Sequence, residues 1–124
     1  LEVQTEKAVE ASLERIADDI KRNADRIKEI RIKILVVDLV TDDDVTFELN
    51  GKSLEHELLR RDYANLVDAY WGQWLEFVLE EVRPSKGENT LSITLNKRAE
   101  GCIGTLVIED VETIVEYHPF RSRL

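Results

Sequence analysis

The sequence predicts an all-β chain folded as a β-sandwich of jelly-roll type, with one or two short helical segments. Three observations predict it. Apolar and polar residues alternate with period two in five separate runs, the signature of strands with one buried face. The runs are joined by short stretches rich in turn-forming residues. The chain has 124 residues, 43% of them hydrophobic, which is enough for one core at the size of a single domain.

The first run covers residues 30–37, where Ile30, Ile32, Ile34 and Val36 share one face and Arg31 and Lys33 the other. An acidic turn at residues 41–44 follows. Residues 45–49 then alternate again and stop at Asn50-Gly51, a dipeptide suited to the two left-handed positions of a type I′ hairpin. In the third run Leu75, Phe77 and Leu79 form the apolar face, with Trp74, Glu76, Val78 and Glu80 opposite. The loop at residues 83–89, containing Pro84 and Gly87, reverses the chain. Leu91, Ile93 and Leu95 alternate with Thr90, Ser92, Thr94 and Asn96 in the fourth run. The fifth covers residues 106–117, with Val111, Thr113, Val115 and Tyr117 set against Glu112, Ile114 and Glu116.

Two segments do not alternate. Residues 54–69 carry Leu54, Leu58 and Leu59 at helical spacing and read as a loop with a short helical turn between two strands. Residues 2–28 are rich in Glu, Lys and Ala, so propensity favours a helix with Leu13, Ile16, Ile20 and Ile27 as its stripe. That helix would make the fold α+β, packed on a five-stranded sheet. The rival reading pairs Val9, Ala11 and Leu13 on one face of a strand that ends at Asp18-Asp19. With no repeat, linker or low-complexity tract, residues 1–124 read as one domain. The sequence lacks methionine even at position 1, so the chain is expected to be a fragment or C-terminal domain of a larger protein.

Composition narrows the function. Twenty-six acids against seventeen bases give a net charge of −9, which repels phosphate backbones and predicts no nucleic-acid partner. No apolar run approaches the ~20 residues of a helical membrane span, and no membrane partner is expected. A single cysteine, Cys102, excludes an internal disulfide and a Cys-based zinc cluster. It lacks an activating neighbour in the sequence and reads as a packing residue rather than a nucleophile. His56 and His118 stand alone, and the five glycines are scattered rather than gathered in a phosphate loop. Glu76, Glu80, Glu109, Glu112 and Glu116 could supply a glycosidase pair, but a charged solvent face explains them without a cleft. The chain is therefore expected not to be an enzyme.

The aromatic cluster Tyr63, Tyr70, Trp71 and Trp74 is the most informative local feature. A flat ring beside polar groups can stack on the C–H face of a sugar while hydrogen bonds set its orientation. Alternation puts Trp74 on the face of Glu76, so Tyr70, Trp71, Trp74 and Glu76 form a candidate carbohydrate site. Core packing and contact with a partner domain are the competing readings. Asp18, Asp19, Asp42 and Asp44 offer oxygen ligands for a structural calcium, against the plainer reading that consecutive Asp residues make turns. No other cofactor is expected.

Three blocks also support a resemblance. They are Ile16-Ala17-Asp18-Asp19, residues 44–54 around Leu49-Asn50-Gly51, and residues 86–93 around Gly87-Glu88-Asn89 followed by residues 106–117. Their order resembles the galactose-binding-like jelly-roll domains that are appended to glycoside hydrolases and related surface proteins. The resemblance spans residues 10–118 and implies an opening strand before Asp18-Asp19. It also implies a non-catalytic accessory domain, either binding carbohydrate or docking on a neighbouring catalytic domain of the same polypeptide. The apolar run 103–115 could template edge pairing, while its acids and the net charge oppose it. A monomer or weak homodimer is expected.

Overall fold

A computed structural model describes residues 2–4, 8–13, 22, 24–40, 42–65, 71–102 and 104–119. Nine strands are defined: β1 (Glu2–Val3), β2 (Ala8–Ser12), β3 (Ile27–Val37), β4 (Asp44–Leu49), β5 (Lys52–Ser53), β6 (Leu58–Asn65), β7 (Trp71–Val78), β8 (Thr90–Lys97) and β9 (Leu106–Tyr117). Short 3-10 turns occupy Ala24–Arg26 and Glu55–Glu57. Among the described residues no helix reaches seven residues. The strands form a five-stranded sheet, β1-β9-β3-β7-β6, and a four-stranded sheet, β2-β8-β4-β5, all paired antiparallel. Of the connections between described strands, β4–β5 and β6–β7 are hairpins and the others pass from one sheet to the other. The chain is an all-β sandwich, as the alternation predicts.

Period two explains which faces meet. Ile30, Ile32, Ile34 and Val36 of β3 and Leu75 and Phe77 of β7 turn inward from the larger sheet. They meet Leu49 of β4 and Leu91, Ile93 and Leu95 of β8, and all are buried. Each such side chain contributes roughly 1.5–3 kcal/mol by leaving water. The rings of Phe47 and Phe77 join the sheets at 5.2 Å between centroids, tilted by 50°. The β4–β5 turn has Asn50 at φ 52° and Gly51 at φ 82°, and Leu49 pairs with Lys52 across it. This is the two-residue loop that Asn-Gly predicts.

One expectation is corrected and one open alternative is decided. Residues 54–69 do begin with a 3-10 turn at Glu55–Glu57, but Leu58–Asn65 is a strand, β6, paired with β7 along its length. Leu58 and Leu59 look helical in the sequence because neighbouring leucines break the alternation. At the end of a sheet order that break is tolerable, and both side chains are exposed. At the N-terminus, of the helix and strand alternatives, the strand is found at Ala8–Ser12, paired with Thr90–Thr94 of β8. Ladder pairing here overrides helix propensity. Residues 14–21, with Asp18 and Asp19, lie outside the described residues.

Candidate functional site

Trp74 stands on β7, flanked by Leu35 of β3 and Asp62 of β6. Strand parity turns it to the outer face of the larger sheet, away from Leu75 and Phe77, and it is half-buried there. Glu76 shares that face between Lys33 and Arg60. Although it lies on the outer side, only 5% of Glu76 is exposed. Its Oε1 accepts from Arg31 Nη1 at 2.8 Å, and its Oε2 lies 3.3 Å from Arg60 Nε. Two guanidinium groups therefore neutralise the carboxylate that burial would otherwise penalise. The Lys33 ammonium lies over the Trp74 ring, 5.0 Å from its centroid, a cation–π contact. Trp74 and Glu76 are thus brought together, as alternation requires. Trp71 opens β7 opposite Asn65, and Tyr70 lies outside the described residues.

The acidic turn before β4 is organised around its middle residue. Asp43 Oδ1 accepts from Ala99 N at 2.6 Å and from Arg98 Nε at 3.0 Å, and its Oδ2 accepts from Val40 N at 2.9 Å. Arg98 also donates from Nη2 to the Asp38 carbonyl at 2.8 Å. Asp43 thereby ties the start of β4 to the end of β8. Asp42 and Asp44 are exposed, and Asp44 Oδ1 accepts from Asn96 Nδ2 at 3.3 Å. Among the described residues no three His, Cys, Asp or Glu side chains gather to hold a metal ion.

Buried Glu57 has a similar duty. Its carboxylate accepts from the backbone N–H groups of Glu80 at 2.9 Å, Glu81 at 3.0 Å and Val82 at 3.3 Å. Burial alone would raise its pKa. The three backbone donors, helped by the nearby His56, outweigh burial and hold the carboxyl below its ordinary value.

Sequence reasoning missed a cleft of about 230 Å³ where the two sheets part beside β6. Phe47, Leu75 and Phe77 line it from within, and Asp44, Glu55, Leu58 and Arg61 line it nearer solvent. Arg61 pairs across the sheet with Leu75, so it occupies an inward position where the pattern calls for an apolar residue. Its Nε donates to Gln73 Oε1 at 3.0 Å, and Gln73 in turn donates from Nε2 to the Leu39 carbonyl at 2.8 Å. The signal in the sequence was the parity of Arg61 against Leu75. It is readable only once β6 is known to be a strand.

Compared with known proteins, the chain matches no protein family, no curated protein and no solved structure. The class that fold and site define is an all-β sandwich with a tryptophan-bearing charged face and a small inter-sheet cleft.

Proposed function

We propose that this chain is a non-catalytic accessory domain that docks on another protein surface through the outer face of its larger sheet, around Trp74. The observation that carries this reading is where the ring lies. Trp74 stands on a sheet face between Leu35 and Asp62 rather than in the cleft, and the Lys33 ammonium already covers the ring. A half-buried tryptophan ringed by charged groups resembles the centre and rim of a protein interface. The buried carboxylates support a non-catalytic reading in a positive way. Asp43, Glu57 and Glu76 all hold backbone donors or guanidinium groups.

Carbohydrate binding is the second reading. It is favoured by the same ring standing beside the hydrogen-bonding side chains of Asp62, Arg60 and Lys33, and by the resemblance to galactose-binding-like domains. One experiment separates the two. A photo-crosslinking residue at Asp62 should give a discrete protein adduct that Trp74→Ala removes, while a panel of sugars at millimolar concentration leaves the Trp74 indole N–H resonance unmoved. A sugar that shifts that resonance, with loss of the shift elsewhere on the sheet face in Trp74→Ala, overturns docking in favour of carbohydrate.

A further inference from the structure

We infer that the inter-sheet cleft beside β6 is a binding site for a small amphipathic carboxylate, with the carboxylate on Arg61 and a short apolar body against Phe47 and Phe77. The site lies apart from the Trp74 face and does not depend on the docking reading. Size is the first argument. At about 230 Å³ the cleft is below the range typical of drug-sized ligands, so its occupant is small, of the order of a six-carbon chain or one ring. Lining is the second. Two phenylalanines and Leu75 offer apolar surface within, and Arg61 stands where the chain opens to solvent.

The sign of the charge follows from which group is held in place. Arg61 is positioned through a relay, its Nε on Gln73 and Gln73 on the Leu39 carbonyl. Gln73 is 4% exposed, so the anchor is fixed within the protein. A planar guanidinium so oriented suits a carboxylate, which it can grip with two donors. The acids at the mouth are arranged differently. Asp43 also lines the cleft, but its carboxylate is already taken up by Arg98 Nε and the backbone N–H groups of Val40 and Ala99. Asp44 lies opposite Lys97 on β8 and accepts from Asn96, and Glu55 is exposed in the 3-10 turn. An inward charge on an edge strand can also serve only to discourage strand pairing, and the test must distinguish that role.

Hexanoate, hexanol and hexylammonium, titrated into the chain and followed by the backbone amide resonances of Arg61, Gln73 and Phe77, provide that test. Hexanoate should shift these resonances and bind about tenfold or more tightly than hexanol, the factor expected of one charge-assisted pair. Arg61→Gln should abolish this preference, and Arg61→Lys, which keeps the charge but not the fork, should retain part of it. Equal binding of hexanoate and hexanol, tighter binding of hexylammonium, or no shift with any of the three overturns the proposal. Should both Arg61 variants aggregate, the preference measured in the unaltered chain still decides.

Discussion

Asn50 and Asn89, 39 residues apart, are joined side chain to side chain: Asn50 Nδ2 donates to Asn89 Oδ1 at 2.9 Å. Each also bonds the backbone around the start of β8. Asn50 Oδ1 accepts from Thr90 N at 2.8 Å, while its backbone N–H donates to the Thr90 carbonyl at 2.9 Å. Asn89 is fully buried, accepts from Ser85 N at 2.7 Å and donates to the carbonyls of Ser85 and Gly87 at 3.0 and 3.2 Å. The Asn89 carbonyl takes the N–H of Leu13 at 2.9 Å. One pair thus links the β4–β5 hairpin, the loop before β8 and the segment that follows β2.

Asn89→Ala strips the side-chain bonds to Asn50, Ser85 and Gly87 from a buried position and is expected to destabilise the fold by about 2–4 kcal/mol. Asn50→Gly keeps the left-handed backbone without steric cost, so its smaller loss of about 1 kcal/mol isolates the side-chain bonds. The double variant should lose less than the two single losses added together, by about 0.5 kcal/mol or more, because both act through one network. Urea unfolding of the unaltered chain and its three variants checks this, and strict additivity would show the pair to be uncoupled.

Glu57 makes stability depend on acid. Its carboxyl is held below the ordinary value of 4.5 in the folded chain. A depressed folded pKa means that the stabilisation is fully present above the unfolded value and fades as pH falls through the folded one. Glu57→Gln replaces one acceptor oxygen with a donor that faces backbone N–H groups, at a cost of about 1–3 kcal/mol near neutral pH. The gap in stability between the unaltered chain and the Glu57→Gln variant should therefore shrink below pH 4.5 and stay nearly level above it. Urea midpoints measured across that range test it; a gap that widens on acidification contradicts the assigned sign.

Much of the fold was legible because one buried face per strand leaves a period-two record. Residues 106–117 and the alternation of Leu91, Ile93 and Leu95 correspond to β9 and β8 as observed. β6 was not legible, since Arg60 and Arg61 are adjacent and necessarily point to opposite faces, which removes the contrast that alternation reads. β2 was ambiguous because Ala8–Ser12 has modest strand propensity and takes its conformation from β8. The link between Trp74 and Glu76 was readable from parity alone. The cleft was not, because Phe47, Glu55, Arg61 and Phe77 come from separate elements.

The Asp43–Arg98 pair predicts a large loss from a single change. The Asp43 side chain is 0% exposed and that of Arg98 10% exposed, so removing the cation leaves a buried carboxylate without its counter-charge. Arg98→Met should destabilise the fold by about 3–5 kcal/mol. Arg98→Lys should recover only part of that, because Arg98 serves Asp43 through Nε and the Asp38 carbonyl through Nη2. Thermal unfolding followed by circular dichroism measures both. A loss under about 1 kcal/mol for Arg98→Met would place the pair among ordinary surface bridges.

The last prediction concerns self-association. The sequence points to the run 103–115 as an edge at risk, and in the sheet order the short β1 pairs with β9 at Leu106 and Val107 alone among the described residues. β6 ends the same sheet, and it exposes Leu58 by 40% and Leu59 by 52%. Arg60 and Arg61 follow directly and present charge on both faces of this strand, a recognised guard against edge pairing. Replacing both, Arg60→Thr with Arg61→Val, removes the guard and lengthens the apolar stretch from Leu58. The variant should form dimers or larger species at concentrations where the unaltered chain is monomeric or weakly dimeric. The net charge of −9 would become −11 by loss of two cations, which opposes association at low salt. Association of the variant should therefore strengthen as salt rises and the repulsion is screened. Light scattering across ~0.05 to 1 M NaCl, a range spanning strong to weak screening, reads this directly. A variant that stays monomeric throughout would show that the two arginines do not guard β6.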